Sequence, residues 1–256
     1  MPVLEEERDD GILLLALNRP EALNALNDEL LEALLDGVGR AAHDNRVRAV
    51  VLTGRGRGFC AGQDLKEYQP DRDVGEHLKT RYLPLIRAVV ECPKPTVAMV
   101  NGVAAGAGMS LMLACDLKVA ATTATLVQSF VRIGLVPDSG SSYFLTRLVG
   151  PSRALEMALL GDPIDASTAY QWGLVNRVVE PEILREATWE WARRLAEGPP
   201  LAQGWIKRAI RAAAHSTLEE AMEREVAFQV QAAASQDHRR GLEAFRERRA
   251  PRFDGR

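Results

Sequence analysis

The chain has 256 residues, of which 46% are hydrophobic and 26% charged, and its formal net charge is −3. This length accommodates one large domain, or one domain with a small appendage, and the composition is ordinary for a globular protein. The charge balance gives no sign of binding to nucleic acid or to a membrane surface, and we expect neither as a partner.

The titratable sulfur and imidazole groups do not form a metal-binding pattern. Three cysteines, an odd number without a CxxC pair, predict a reduced protein of the cytoplasm. The four histidines lie far apart and match no metal spacing, so we interpret each as a surface or partly buried side chain and predict no metal site. The acidic N-terminus lacks the pattern of a signal peptide.

Strand-like and helix-like patterns alternate from the start to about residue 180. Asn27 is a candidate N-cap for the first helix. A linker containing Pro70 follows the second strand. This alternation predicts an α/β fold with parallel strand pairing. The predicted strands are 12–18, 48–54, 95–102 and 116–122, and the predicted helices are 27–44 and 76–91.

Residues 96–115 carry no charge and are long enough to cross a bilayer. However, the stretch is only mildly hydrophobic, with a Val-rich first part and a Leu- and Met-rich second part. We therefore predict a buried strand, a glycine loop and a buried helix.

After Gly198 the pattern predicts helices only. Ser216 and Glu219 have the spacing of a capping box, and Ser235 is a second candidate N-cap. We divide the chain into an α/β core, 1–195, and a helical C-terminal region, 196–256.

Three segments could carry chemistry. The first, 54–68, places alternating glycines and arginines after a strand. It matches neither a phosphate-binding P-loop nor a convincing dinucleotide fingerprint. It is either a flexible basic turn or a loop where a ligand approaches the backbone.

The second segment, 101–116, leads small residues directly into an apolar helix. The N–H groups at such a helix start favour an anion or a carbonyl oxygen that gains negative charge. Tight packing between helix and strand explains the same small residues equally well.

The third segment, 130–150, places Asp138 in apolar surroundings between Pro137 and Ser139. An acid in an apolar cleft tends towards a raised pKa, which suits proton transfer. Alternatively, Asp138 caps a helix that begins at Ser139.

Together the three segments resemble the crotonase (enoyl-CoA hydratase/isomerase) superfamily. The resemblance rests on FCAGQDL at 59–65, on the stretch from Asn101 to Asp116, and on GLVPDSG at 134–140. LNRPEALNAL at 17–26 and the ending at 237–253 also look like this family. It implies a crotonase-like spiral of ββα units, and trimers or hexamers in which C-terminal helices form subunit contacts.

The resemblance further implies an acyl-CoA thioester as substrate and no separate cofactor. The main-chain N–H groups of Gln63 and Ala107 would hold the thioester carbonyl oxygen. The adenine end would lie near 63–66 and 23–26. The substrate-binding residues carried over by position are Leu23, Ala25, Ala61, Gln63, Asp64, Leu65, Lys66, Ala107 and Gly108.

The two positions where many family hydratases carry glutamates hold Ser110 and Phe130 here. Water addition needs an acid–base pair, so their loss argues against efficient hydration. Asp138 occupies a third family position, used as the acid/base by some isomerases. The run 130–140 looks most like the phenylacetate-pathway enzyme that isomerises ring-1,2-epoxyphenylacetyl-CoA.

We therefore predict an isomerase that uses Asp138 and the N–H groups of Gln63 and Ala107. Two alternatives stay open: an enoyl-CoA hydratase with a rearranged acid pair, and a non-catalytic acyl-CoA or RNA-binding member of the fold.

Overall fold

The computed structural model describes residues 3–67, 71 and 73–256. The strands are β1 Leu4–Asp9, β2 Ile12–Leu17, β3 Ala49–Gly54, β4 Gly58–Cys60, β5 Thr96–Val100, β6 Val103–Ala105, β7 Leu117–Ala121, β8 Thr125–Val127, β9 Ile164–Asp165 and β10 Arg177–Val179. The α-helices are α1 Asp28–His43, α2 Val74–His77, α3 Leu83–Glu91, α4 Ala107–Ala114, α5 Ser141–Leu160, α6 Ala166–Gln171, α7 Leu184–Glu197, α8 Pro200–Ala213, α9 Leu218–Ala234 and α10 Gln236–Arg246.

The described strands form two sheets. One has the order β1-β2-β3-β5-β7-β10, and its pairs are parallel except for β1 with β2. The other has the order β4-β6-β8-β9, in which only β8 and β9 are antiparallel. From β3 to β8, successive strands alternate between the sheets, and helices follow each pair. This arrangement confirms the predicted crotonase-like ββα spiral with a helical C-terminal region.

The core lies on both faces of the larger sheet, as β2 shows. Leu13, Leu15 and Leu17 belong to the cluster that contains the buried side of α1. Ile12 and Leu14 join the opposite cluster, which α7 covers. A strand buried on both faces shows no hydrophobic alternation, so 12–18 appears in the sequence as one apolar run.

Most elements lie close to their predicted places. Asn27 caps α1 as predicted, since its side chain accepts a hydrogen bond from the Leu30 N–H at 3.0 Å. The uncharged stretch 96–115 forms β5, β6 and α4, as predicted. None of the helices within residues 3–67, 71 and 73–256 combines the length and the apolar character needed to cross a membrane.

Four local predictions are confirmed, corrected or left outside the described residues. The capping box lies one residue later than predicted, at Thr217 and Glu220, because the Thr217 hydroxyl accepts from the Glu220 N–H. Ser235 caps α10 as predicted. The predicted helix at 76–91 is interrupted by a π-helical turn, Leu78–Tyr82. The predicted linker residue Pro70 lies outside the described residues.

The C-terminal region consists of α8, α9 and α10 and a short tail. The tail is held by the buried Asp237 carboxylate, which accepts hydrogen bonds from the N–H groups of Asp254 and Gly255, both at 2.9 Å. The predicted boundary at 195 lies in the last turn of α7. The division into core and oligomerisation region stays a prediction.

Candidate active site

Strand β4 runs into a loop that lies against the start of α4. Gly62 in this loop has φ +92°, a left-handed conformation. A Cβ at Gly62 would lie 2.8 Å from the Ala105 carbonyl oxygen and 3.4 Å from the Ala107 nitrogen. Glycine is therefore required both for the backbone conformation and for the close approach of loop and helix.

This approach brings two main-chain N–H groups to one place. Among the described residues, neither the Gln63 nor the Ala107 N–H donates a hydrogen bond. Gln63 is fixed by its neighbours, because Gly62 O accepts from Leu26 N at 2.7 Å and Asp64 N donates to Leu26 O at 3.0 Å. Ala107 begins α4, whose first N–H groups lack partners within the helix and carry its positive dipole end.

Both residues line a cavity of about 70 Å³, and Asp138 lines it too. The structure thus brings together the three residues predicted to be catalytic, although they are separated widely in sequence. Ala61 and Leu65, two of the predicted substrate-binding residues, also line this cavity. The remaining lining residues are Gly62, Tyr82, Gly106, Ser129, Phe130, Ile133 and Leu135.

The Asp138 side chain does not cap a helix, so that alternative is wrong. α5 begins at Ser141 with Gly140 as its N-cap, and no side chain caps it. It is the main-chain oxygen of Asp138 that accepts from the Ser141 N–H, at 2.9 Å. Burial raises the pKa of the Asp138 carboxyl, and a hydrogen bond from the Ser139 hydroxyl at 2.9 Å opposes that shift. The carboxyl remains available for proton transfer.

Ser110 and Phe130 have roles of a different kind. The buried Ser110 hydroxyl is 2.7 Å from the Ser141 hydroxyl and donates to the Asp138 main-chain oxygen at 3.2 Å. It therefore supports the turn that carries Asp138. Phe130 forms part of the apolar wall of the cavity.

Five predicted substrate-binding residues do not line the cavities around Asp138 that the described residues form. Leu23 and Ala25 contribute main-chain carbonyls, which accept from Ala61 N at 3.0 Å and from the Arg19 guanidinium at 2.6 Å. Gly108 lies against β4, where a Cβ would meet the Cys60 oxygen at 2.3 Å. Packing explains these residues; a role with the more distant parts of a CoA ester stays a prediction for them.

The other two are Asp64 and Lys66. Asp64 forms a buried ion pair with Arg19 at 2.7 Å and accepts from the Lys66 N–H at 3.0 Å. Burial opposes ionisation of Asp64, but these hydrogen bonds outweigh it and its pKa is lowered. The pair with Arg19 gives Asp64 a role in holding the loop.

A wider cavity of about 470 Å³ adjoins the first and shares five lining residues with it: Gln63, Leu65, Ile133, Leu135 and Asp138. Its walls come from α2, the π-helical turn and the segment before Asp138. The additional lining residues are Val74, His77, Leu78 and Val136. None of these four residues was singled out individually from the sequence.

In the part of the chain that the structure describes, no group of three or more His, Cys, Asp or Glu side chains could hold a metal ion. Cys60, Cys92 and Cys115 are free and buried. The absence of a metal or redox cofactor stays a prediction.

The family description "Enoyl-CoA hydratase/isomerase" matches residues 7–256. The chain belongs to this family. It is 41% identical over 252 residues to the 1,2-epoxyphenylacetyl-CoA isomerase of Escherichia coli, with 96% of each chain covered. It is 40% identical to a probable enoyl-CoA hydratase of Rhodobacter capsulatus, with 98% of this chain and 97% of that protein covered.

A crystal structure of a putative enoyl-CoA hydratase/isomerase from Mycobacterium abscessus superposes with a TM-score of 0.93 at 39% identity. The match covers 99% of this chain and 100% of that chain. The family match and the structural match both extend over nearly the whole length of this chain. The prediction that the chain is an enzyme of the enoyl-CoA hydratase/isomerase family is therefore confirmed.

Proposed function

We propose that this enoyl-CoA hydratase/isomerase family member is an acyl-CoA isomerase, and that its substrate is ring-1,2-epoxyphenylacetyl-CoA. The main support is that one partly buried carboxyl, Asp138, shares a cavity with the N–H groups of Gln63 and Ala107. The 41% identity to the E. coli 1,2-epoxyphenylacetyl-CoA isomerase supports the choice of substrate.

The first step would generate an enolate. Removal of a proton from the carbon next to the thioester carbonyl puts negative charge on the carbonyl oxygen. The Gln63 and Ala107 N–H groups would donate to that oxygen, and loss of one such donor typically costs about 10²–10³-fold in rate. The positive end of the α4 dipole acts in the same direction.

Asp138 would take this proton and return it to another carbon. For a ring-1,2-epoxide, the bond shared by the epoxide and the six-membered ring opens, and a seven-membered oxygen heterocycle forms. The proton lost beside the thioester returns to a ring carbon. The composition of substrate and product is then identical, so one carboxyl suffices.

An enoyl-CoA hydratase is the second candidate, supported by the 40% identity to the probable hydratase. Ser110 and Phe130 stand against it, because neither side chain supplies a carboxylate to activate water.

A turnover screen distinguishes the two. The purified protein is incubated with ring-epoxide, dienoyl and enoyl-CoA thioesters, with and without a chelator. We expect isomerisation of the ring-epoxide, little water addition to crotonyl-CoA, and no effect of the chelator. Efficient hydration without isomerisation would overturn the proposal, and loss of activity with chelator would overturn the absence of a metal.

A further inference from the structure

Among the described residues, the lining of the wider cavity beside Asp138 is apolar except at three side chains. Gln63 and Asp138 belong to the catalytic machinery proposed above. The third is His77, which stands among Leu65, Val74, Leu78, Ile133, Leu135 and Val136. An acyl group that extends from the thioester site into this cavity would meet a hydrophobic wall interrupted by one imidazole.

Two contacts fix the orientation of His77. Its Nε2 is 2.8 Å from the Asp28 carboxylate in the first turn of α1. Its ring meets Tyr82 edge-on, with the ring centroids 5.5 Å apart. The His77 side chain is only 9% exposed. It also ends α2 immediately before the π-helical turn, and such turns are frequent at functional sites.

The Asp28 contact decides which His77 nitrogen is available. A carboxylate only accepts hydrogen bonds, so Nε2 carries the hydrogen and donates it. In the described part of the chain, Nδ1 makes no hydrogen bond, although the side chain is almost fully enclosed. Because His77 lines the wider cavity, a substrate group that lies there can supply Nδ1 with a hydrogen-bond partner.

We propose that His77, held by Asp28, hydrogen-bonds through Nδ1 to an oxygen atom that the acyl group carries away from its thioester. The site would thereby select oxygen-bearing acyl groups over plain hydrocarbon ones. This inference rests on the proposed function only in placing the acyl group in the wider cavity. A hydroxyl group can donate to Nδ1 of the neutral ring. An epoxide oxygen only accepts, so it would need a hydrogen on Nδ1.

A pair of ligands that do not react tests the proposal. Phenylacetyl-CoA and 2-hydroxyphenylacetyl-CoA differ by one oxygen on the ring, and calorimetry gives the Kd of each. We expect the native protein to bind the hydroxylated ligand about 3- to 10-fold more tightly, the range of one ordinary hydrogen bond. In His77→Phe, which keeps an aromatic ring beside Tyr82, the ratio should fall to about 1 while phenylacetyl-CoA binds nearly as before.

Two further variants complete the test. Leu78→Met changes a neighbouring wall residue at similar volume and should keep the preference. His77→Gln replaces His77→Phe if circular dichroism shows that the latter does not fold, and it should weaken the preference. Equal affinity of the native protein for both ligands, or an unchanged ratio in the folded His77 variant, overturns the inference.

The outcome is separable from that of the turnover screen. If the preference for the hydroxylated ligand is lost in the His77 variant but the native protein does not isomerise ring-epoxides, the proposed reaction is overturned and the role of His77 is upheld. If the protein isomerises ring-epoxides and the ligand preference survives substitution of His77, the proposed reaction is upheld and the role of His77 is overturned.

Discussion

Asp138 combines a partly buried carboxyl with a main chain that other residues hold in place. Burial raises its pKa, while the Ser139 hydroxyl donates to one of its oxygens and Ser110 and Ser141 bind its carbonyl. The carboxyl can therefore change its protonation state without releasing the turn. This division between main chain and side chain makes the residue testable by substitution.

We expect Asp138→Asn to fold and to bind acyl-CoA esters, but to isomerise about 10²–10⁴-fold more slowly, because the amide cannot take up the proton. Steady-state turnover and ligand calorimetry measure the two properties separately. Ser110→Ala provides the comparison: it removes a supporting hydrogen bond and should cost less than about tenfold. A near-normal rate for Asp138→Asn, or an equal loss in both variants, would contradict the assignment.

The same substitution should change stability in a pH-dependent way. A carboxyl with a raised pKa in the folded state is penalised at neutral pH and relieved by protonation as the pH falls. Asp138→Asn should therefore unfold at a higher temperature than the native protein at pH 7. This difference in unfolding temperature between the variant and the native protein should become smaller as the pH is lowered through the raised pKa of Asp138 towards the ordinary value of 3.8. The exposed Asp162→Asn is the control, and a difference that widens in acid would refute the prediction.

At the scale of elements, the meeting of the loop at 61–63 with α4 depends on Gly62. Gly62→Ala would force an L-residue to φ +92° and a Cβ to within 2.8 Å of the Ala105 oxygen. We expect a marked drop in the unfolding temperature and loss of turnover in whatever protein folds. Gly39→Ala in α1, where a Cβ meets nothing within 4 Å, should be neutral or stabilising. Thermal unfolding compares the two, and equal behaviour would count against a special role of Gly62.

Patterns within one element proved more predictable than contacts between elements. The Asn27 cap and the glycine-rich entry to α4 depend on neighbouring residues, so they can be recognised in the sequence. His77 could not be placed in this way. A π-helical turn holds about one residue more than an α-helical turn, so the side chains before Leu78 and after Tyr82 are rotated by about 100° from their α-helical phase.

At the scale of the whole molecule, α9 has no buried residue, yet it carries apolar side chains at every fourth position: Leu218, Met222, Val226 and Val230. An apolar helix face of this kind is normally buried against another part of a protein. Ile210 on α8 and Phe245 on α10 are also highly exposed, at 71% and 83%.

We therefore expect a homotrimer or a dimer of trimers, which light scattering at micromolar concentration measures. The double substitution Val226→Glu and Val230→Glu should shift the protein to smaller species. Glu186→Lys on the exposed face of α7 should not do so. A stable monomer of the native chain would contradict the prediction.

The cavity itself could be predicted only in part, because it is assembled from distant segments. Gln63, Ala107 and Asp138 were found because each lies in its own short motif. Tyr82, Ile133 and Leu135 lie in segments whose apolar residues resemble ordinary core, and only the tertiary arrangement turns them towards one space. The sequence likewise did not show that Leu23 and Ala25 lie outside the cavity. They belong to one of the family-like motifs, but their main-chain carbonyls accept hydrogen bonds from Ala61 and Arg19.

The two proposed donors to the enolate oxygen belong to the main chain, at Gln63 and at the first residue of α4. Every amino acid except proline supplies the same N–H group, so point mutation at either position rarely removes it. Substitution of the side chains around them leaves these two N–H groups in the chain. A lineage built on this scaffold can therefore exchange one proton carrier for another, and so one reaction for another, while inheriting its means of stabilising the charged intermediate.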